Sequence, residues 1–289
     1  MKTIHLLLPA LALAAFAACS REPVVAVGPR AAVLLAAGDI AECPRQGDEA
    51  TAALLDTLPG AVAVLGDNAY ERGTAEEYAN CYHPSWGRHK ARTRPAPGNH
   101  EYATPNAAPY YAYFGAAAGN PDEGWYSYEL GAWHIVVLNS EVPRTPDSPQ
   151  IRWLRADLAA HPARCTLAYW HKPRFSSGPH GSNATMQPFW DALYEAGADV
   201  VLTGHDHIYE RFAPQTPDGR ADPARGIRSF VVGTGGRSLY AIAAIAPHSE
   251  FRQNTAIGVL RLELEESGYR WRFIPTSGAA MDEGSATCH

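Results

Sequence analysis

The 289-residue sequence lacks any stretch in which lysine and arginine concentrate, and its formal net charge is −6. Binding to nucleic acid through the phosphate backbone needs a basic surface, so we expect no nucleic-acid partner. The sequence also lacks internal repeats, low-complexity stretches and a convincing linker, which predicts one domain after any leader. With 46% hydrophobic and 19% charged residues, its composition excludes a disordered, collagen-like or coiled-coil protein.

Long apolar runs are absent except for one near the start, from Leu6 to Ala18. A bilayer span takes roughly 20 residues, so this shorter run fits a secretory signal peptide over residues 1–18. It ends in Phe16-Ala17-Ala18-Cys19-Ser20, which resembles the cleavage box of bacterial lipoproteins, in which the cysteine carries lipid. Residues 19–31 would then form a tether. We expect an exported protein in the periplasm or at the cell surface. It would contact a membrane only through lipid on Cys19, and in a Gram-negative host this would be the outer membrane. Ordinary cleavage with a free Cys19 is the alternative.

Cysteine is scarce, and four residues remain beyond Cys19: Cys43, Cys81, Cys165 and Cys288. An even number in an exported protein indicates two disulfides, for which three connectivities are possible. We favour Cys43–Cys81 and Cys165–Cys288 because the second pair would secure an otherwise loose C-terminus. A zinc site is the weaker interpretation, since none of the four belongs to a Cys-x-x-Cys pair.

Short apolar runs alternate with helical patterns along most of the sequence. The predicted strands are 32–37, 61–65, 134–138, 166–170 and 200–203, and the predicted helices are 48–58, 150–160 and 186–196. After residue 226 the pattern has strands alone, at 228–232, 256–263 and 269–275. The alternation indicates parallel strands with helical crossovers, and therefore an α/β fold.

Several side chains of the metal-binding types come immediately after predicted strands. They are Asp39, Asp67, His171, His205 and His207. In an open α/β sheet the strand ends form the crevice where ligands bind, so we expect these side chains to meet at one rim. With the amide of Asn99 and the phenol of Tyr70, they are too many donors for one ordinary ion, and they suit two ions that share a carboxylate. Nitrogen and oxygen donors without thiolate favour Fe, Mn or Zn.

A pair of ions roughly 3.5–4 Å apart activates a water molecule and holds the oxygens of a phosphoryl group, so hydrolysis of phosphate esters is the predicted reaction class. Five blocks of the sequence resemble, in order, those of calcineurin-like metallophosphoesterases. The blocks are Gly38-Asp39, Gly66-Asp67-Asn68-Ala69-Tyr70, Gly98-Asn99-His100-Glu101, Trp170-His171 and Gly204-His205-Asp206-His207. The purple acid phosphatase branch is the best match, because its second block reads Gly-Asp-x-x-Tyr and Tyr-Glu-Arg follows its last histidine pair.

The resemblance extends over about residues 33–240. It implies a four-layer α/β/β/α sandwich, two mixed sheets flanked by helices, with the catalytic domain over residues 32–289. One departure from the wider family is Ala41, which stands where many diesterase-type members carry a histidine ligand and where purple acid phosphatases usually have glycine. The phenol of Tyr70 would replace the missing donor; an aromatic lid over the site is the alternative role for it.

The resemblance also implies a role for each site residue. Asp39, Tyr70 and His207 would hold the first ion, Asp67 would bridge, and Asn99, His171 and His205 would hold the second. Iron is expected at the Tyr70 site because a phenolate prefers a trivalent ion, with Fe, Mn or Zn at the other. His100 would act as general acid or as a hydrogen-bond donor to phosphate, and His180 would face the substrate. Glu101 and Asp206 are candidates to orient ligand histidines.

The predicted reaction is attack of a metal-bound hydroxide on the phosphorus of a phosphate monoester, with a phosphorylated small molecule as substrate. A phosphodiesterase on the same scaffold is one alternative, and a non-catalytic binding lipoprotein at the cell surface is another. A 5′-nucleotidase is disfavoured, because such enzymes usually carry a second C-terminal domain.

Overall fold

The computed structural model describes Met1 and residues 31–289, so the rest of the predicted signal peptide and the predicted tether up to residue 30 lie outside the described residues. The β-strands are β1 Ala32–Ala37, β2 Ala41–Glu42, β3 Ala61–Leu65, β4 Ala69–Tyr70, β5 Thr93–Ala96, β6 Tyr126–Leu130, β7 Trp133–Val137, β8 Cys165–Tyr169, β9 Val200–Thr203, β10 Tyr209–Phe212, β11 Arg228–Val232, β12 Ser249–Gln253, β13 Gly258–Glu265, β14 Gly268–Pro275 and β15 Asp282–Thr287. The α-helices are α1 Gly47–Thr57, α2 Ala75–Glu77, α3 Ala108–Phe114, α4 Pro149–Ala160 and α5 Gln187–Glu195. Short 3₁₀ turns cover Trp86–Arg92, Glu101–Ala103, Pro105–Ala107, Gly115–Ala118 and Ala184–Met186, and a π turn covers Tyr78–Tyr82.

Two large sheets carry most of the strands. The first has the order β15-β14-β13-β1-β3-β5 and the second β12-β10-β11-β9-β8-β7-β6, while β2 and β4 form a separate pair. Strands β1, β3 and β5 are parallel, as are β7, β8, β9 and β11, and the remaining neighbours in both sheets are antiparallel. Both sheets are therefore mixed, as predicted.

The hydrophobic core lies between the two sheets. Leu34 and Leu262 of the first sheet share one buried cluster with Ile135 and Leu167 of the second. On its other side the second sheet packs against α4 and α5, in a cluster that includes Val136. With α1 against the first sheet, the layers follow the order helix, sheet, sheet, helix, which confirms the predicted four-layer architecture.

Two disulfides close the fold, Cys43–Cys81 and Cys165–Cys288, so the favoured pairing is confirmed. The second one joins the start of β8 to a residue next to the C-terminus. Among Met1 and residues 31–289, no helix is long and apolar enough to cross a membrane.

Candidate metal centre

Loops at the carboxyl ends of five strands bring the predicted ligands together. Asp39 follows β1, Asp67 and Tyr70 follow β3, Asn99 follows β5, His171 follows β8, and His205 and His207 follow β9. Asp39, Asp67 and His205 adopt positive φ angles of 62°, 50° and 71°. Such a conformation costs on the order of 1–3 kcal/mol at a non-glycine residue and is concentrated at functional sites.

The phenol of Tyr70 lies among three of the predicted ligands. Its hydroxyl donates to Asp39 Oδ1 at 2.9 Å and lies 3.3 Å from Asp67 Oδ2 and 3.2 Å from His207 Nε2. All four side chains are buried. Two carboxylates and an imidazole therefore converge on the phenol oxygen, where a cation would be bound by oxygen and nitrogen donors.

Asp67 also belongs to a second group of donors. Its Oδ2 lies 3.1 Å from His171 Nε2, which in turn lies 3.2 Å from His205 Nδ1. One ligand atom from each of these three residues lies within 4.8 Å of the others. Since Asp67 contacts Tyr70 on one side and His171 on the other, its carboxylate has the position that two neighbouring ions would share.

Asn99 tests whether this donor set fits a metal. Its Oδ1 is buried and has no hydrogen-bond partner among the described residues. A buried acceptor without a partner costs about 1–3 kcal/mol, and a cation would satisfy it. The amide is thus an unused oxygen donor at the end of β5, and the residues present fit a metal centre.

Backbone carbonyls fix the tautomers of two of the histidines. His171 Nδ1 donates to the oxygen of Leu65 at 2.9 Å, and His207 Nδ1 donates to the oxygen of Ser238 at 2.8 Å. In both rings Nε2 is then the nitrogen left for coordination. This type of hydrogen bond orients metal-binding histidines in proteins.

Charges are tightly coupled at the site. Burial alone would lower the pKa of His171, but the carboxylates of Asp67 and Asp39 raise it to about 10. Burial and the neighbouring His171 lower the pKa of His205 to about 2. Burial and the two carboxylates raise the pKa of Tyr70. An incoming cation would displace the protons on His171 and Tyr70, so the affinity for metal should fall at low pH.

Two glycines permit the close approach of these loops. A Cβ atom at Gly204 would lie 2.6 Å from Asp39 Oδ2, and one at Gly98 would collide with Asp67 Oδ1. Any larger residue at either position would push a carboxylate out of the site.

His100 and His180 lie beside the donors. His100 N donates to Asp67 Oδ1 at 2.9 Å, and its ring is 4.4 Å from the ring of Tyr70. His180 stacks on His205 with 4.1 Å between ring centroids, and its side chain is 45% exposed. Both predicted catalytic residues thus accompany the predicted ligands.

Glu101 and Asp206 contact different groups from those expected. The Glu101 carboxylate accepts hydrogen bonds from backbone amides of the Asp67 and Asn99 loops, which are Gly98 N at 2.7 Å, Asn68 N at 2.8 Å and Asp67 N at 2.9 Å. Asp206 Oδ1 accepts from His180 Nδ1 at 2.8 Å rather than from a predicted ligand. Glu101 therefore holds two loops together, and Asp206 orients the histidine predicted to face the substrate.

Sequence reasoning missed Arg237 and Tyr240. The Arg237 guanidinium lies 4.8 Å from the centre of the Tyr70 ring and pairs with Glu42 and, at 2.7 Å, with Glu71. Tyr240 stacks on His207 with 3.9 Å between ring centroids. The signal that could have found them is the run Gly233-Thr234-Gly235-Gly236, which follows β11 as other glycines precede the ligands of other strands.

The chain is similar to several known proteins. The model of the calcineurin-like phosphoesterase family matches residues 32–209. Purple acid phosphatase 21 of Arabidopsis thaliana is 31% identical over 206 residues, which cover 62% of this chain and 47% of the plant protein. Acid phosphatase type 7 of Homo sapiens is 32% identical over 145 residues, covering 41% of this chain and 32% of the human protein. The chain thus spans about half or less of the length of these relatives.

Solved structures with the same fold have different reported roles. A purple acid phosphatase from yellow lupin seeds has a TM-score of 0.71 at 19% identity, covering 89% of this chain and 53% of the lupin chain. GAP50, described as the anchor in the inner membrane complex of Plasmodium, has a TM-score of 0.72 at 15% identity, covering 90% of each chain. At these identities the likeness shows the fold alone, so any activity has to be argued from the site.

Proposed function

The chain belongs to the calcineurin-like phosphoesterase family, and from that premise we propose that it is a metal-dependent phosphatase that hydrolyses phosphate monoesters of small molecules. The observation that carries the proposal is the buried Asn99 Oδ1, which has no hydrogen-bond partner among the described residues, together with the converging donors Asp67, His171 and His205. Such a donor set is costly to bury without cations, and a pair of cations is the established device for hydrolysing phosphate esters.

The proposed centre holds two ions. We assign Asp39, Tyr70 and His207 to the first ion and Asn99, His171 and His205 to the second, with Asp67 shared. We expect a highly charged first ion such as ferric iron, because the phenolate of Tyr70 would prefer a trivalent cation. When bound, the ions supply an activated water nucleophile and positive charge for the phosphoryl oxygens.

His100 is the proposed general acid. Its Nδ1 donates to the backbone oxygen of Glu71 at 2.6 Å, so Nε2 is the nitrogen free to carry a transferable proton. The hydrogen bond from His100 N to Asp67 Oδ1 fixes this residue next to the shared carboxylate. The proton on Nε2 would pass to the oxygen of the departing alkoxide.

His180 is the proposed phosphate-binding histidine. Asp206 accepts from both the backbone N of His180, at 3.1 Å, and its ring Nδ1, at 2.8 Å. Asp206 is fully buried, whereas the His180 ring is partly exposed. The carboxylate thus orients a ring whose Nε2 would donate to a substrate oxygen.

The direct test strips metal from the purified protein and then reloads it with Fe, Mn or Zn, singly and in pairs. Rates are measured on p-nitrophenyl phosphate and on bis(p-nitrophenyl) phosphate. We expect activity only with two ions per chain and a faster rate on the monoester. A faster rate on the diester would support the phosphodiesterase alternative, and inactivity with two ions bound would support a binding protein instead.

We also propose that the protein is exported and anchored by lipid on Cys19. The two disulfides support export, since such bonds persist in oxidising compartments. Cys19→Ala should abolish lipid attachment and release the protein into a soluble periplasmic or secreted fraction. A variant that still fractionates with membranes as the parent does would contradict the lipid anchor.

A further inference from the structure

A second cluster of histidines and carboxylates lies where α4 covers the second sheet, outside the five loops of the candidate metal centre. Its most deeply buried member is His134 in strand β7, at 1% exposure. Alternate residues of β7 face opposite sides: Ile135 packs between the sheets, and Val136 packs with the helices. His134 therefore shares the helix-facing side with Val136.

Glu129 orients the His134 ring. The two residues are directly opposite each other across the antiparallel pair β6–β7, so their side chains emerge on the same face. His134 Nδ1 lies 2.7 Å from Glu129 Oε1. A carboxylate on one ring nitrogen is the usual way in which proteins prepare the other nitrogen for a metal.

The other nitrogen of His134 faces the end of helix α4. Its Nε2 lies 2.8 Å from Asp157 Oδ2, and His161 Nδ1 lies 3.3 Å from Asp157 Oδ1. His161 directly follows the last residue of α4, and its Nδ1 donates to the backbone carbonyl oxygen of Asp157 at 2.9 Å. One ligand atom from each of the three residues lies within 4.8 Å of the others. In a tetrahedral zinc site, bonds of about 2.0–2.1 Å put ligand atoms roughly 3.3 Å apart. To bind an ion, the His161 ring would have to leave its hydrogen bond to the Asp157 carbonyl and its stack on His134, where the ring centroids are 4.9 Å apart.

We propose that His134, Asp157 and His161 form a second metal site, oriented by Glu129, that takes a divalent transition ion such as Zn²⁺. Two imidazoles and one carboxylate without thiolate suit Zn²⁺ and disfavour Ca²⁺ and Mg²⁺, which prefer oxygen donors. The His161 side chain is 50% exposed, so an ion can reach the site from solvent. A bound ion would join the edge of the second sheet to the end of α4.

The test uses the full protein with its phosphoesterase centre already loaded, so that added ions report only further sites. Zn²⁺ is titrated by calorimetry, and bound zinc is counted by elemental analysis after excess ion is removed. The test variant is His161→Gln, and the matched control is His83→Gln, an exposed histidine that contacts Tyr113 instead. We expect the parent and His83→Gln to bind one more Zn²⁺ per chain than His161→Gln.

Two further results decide the assignment. Glu129→Ala should weaken zinc binding by about 10- to 100-fold, the usual effect of removing a carboxylate that orients a ligand histidine. Co²⁺ bound at the site should give the visible absorption of tetrahedral coordination in the parent and not in His161→Gln. Equal zinc counts in the parent and His161→Gln would overturn the proposal.

Discussion

The candidate metal centre takes its side chains from five loops, whereas the His134 cluster (Glu129, His134, Asp157 and His161) takes its side chains from two neighbouring strands and one helix end. At the centre, Asp39, Asp67 and His205 have left-handed backbone conformations, and Asn99 Oδ1 has no partner among the described residues. In the His134 cluster, both ring nitrogens are hydrogen-bonded and Asp157 also accepts from Ser127 Oγ at 2.8 Å.

The difference concerns what each cluster needs in order to be stable. Strained backbone and an unsatisfied buried acceptor oppose folding, and cations bound at the candidate metal centre would offset that cost. The His134 cluster is satisfied by its own hydrogen bonds, and an ion there would replace them. Loss of metal should therefore affect the candidate metal centre far more strongly.

The largest expected effect follows from the shared carboxylate. Asp67→Asn should lose both ions or keep one weakly, because a neutral amide cannot offset two cations, and phosphatase activity should disappear. Elemental analysis measures the metal content, and the rate on p-nitrophenyl phosphate measures the activity. Asp56→Asn is the matched control, since Asp56 pairs with Arg88 at the surface. This variant should retain both ions. Two ions and near-parent activity in Asp67→Asn would refute the bridging role.

A large but distinct effect is expected for the adjacent pair Asn99 and His100. Asn99→Ala should reduce occupancy of the second ion and slow hydrolysis of every substrate. His100→Ala should keep its metal and lose roughly 10²–10⁴-fold in rate, the usual contribution of a general acid. An alkyl phosphate, whose alkoxide needs a proton, should suffer more than p-nitrophenyl phosphate. Equal losses on both substrates would limit His100 to positioning phosphate, and metal loss would make it a ligand.

A smaller effect is expected at His180. Its removal takes away one hydrogen bond to a charged group, worth about 1.5–3 kcal/mol, so His180→Gln should weaken the binding of inorganic phosphate roughly 10- to 100-fold. Metal content should be unchanged. Competitive inhibition by phosphate gives the measurement, with His83→Gln as control. Unaltered inhibition would remove His180 from the substrate site.

The smallest effect is the pH dependence of stability at the His134 cluster. Burial would lower the pKa of His134, but Asp157 and Glu129 raise it, while His134 lowers the pKa of Asp157 against the effect of burial. Stabilisation by the pair is thus complete between the unfolded pKa values of about 3.9 for Asp and 6.5 for His. It is lost as pH rises through the folded pKa of His134, and also as pH falls through that of Asp157.

Urea unfolding in zinc-free buffer tests this expectation. The free energy difference between the parent and His134→Gln should be largest near pH 5–6 and should shrink towards pH 9. A difference that stays constant over this range would mean that packing rather than charge makes the contribution.

Apolar strands were predictable because their pattern is local. Residues 32–37, 61–65, 200–203 and 228–232 form strands with the predicted bounds. Strand β5 was missed because Arg94 and Pro95 interrupt any apolar run. Pro95 is tolerated because β5 is an edge strand, where proline costs little. β15 was missed for a similar reason, since its residues are small and polar.

The convergence of site residues was predictable only because each predicted ligand stands near the end of a strand in a block that resembles a known family. Arg237 and Tyr240 escaped because their contacts depend on how the loop after β11 packs on the Asp39 loop. The backbone N of Arg237 donates to the backbone carbonyl oxygen of Asp39 at 2.9 Å, a contact between residues far apart in sequence. The glycine-rich run at 233–236 marks this loop, but it does not encode the contact that places Arg237.

Anomalous diffraction from crystals of the metal-loaded protein tests the central claim most directly, because it locates ions independently of activity. We predict two peaks roughly 3.5–4 Å apart, both bound by Asp67, with Tyr70 bound to one ion and Asn99 to the other. A single peak, or two peaks that do not share Asp67, would contradict the two-ion centre.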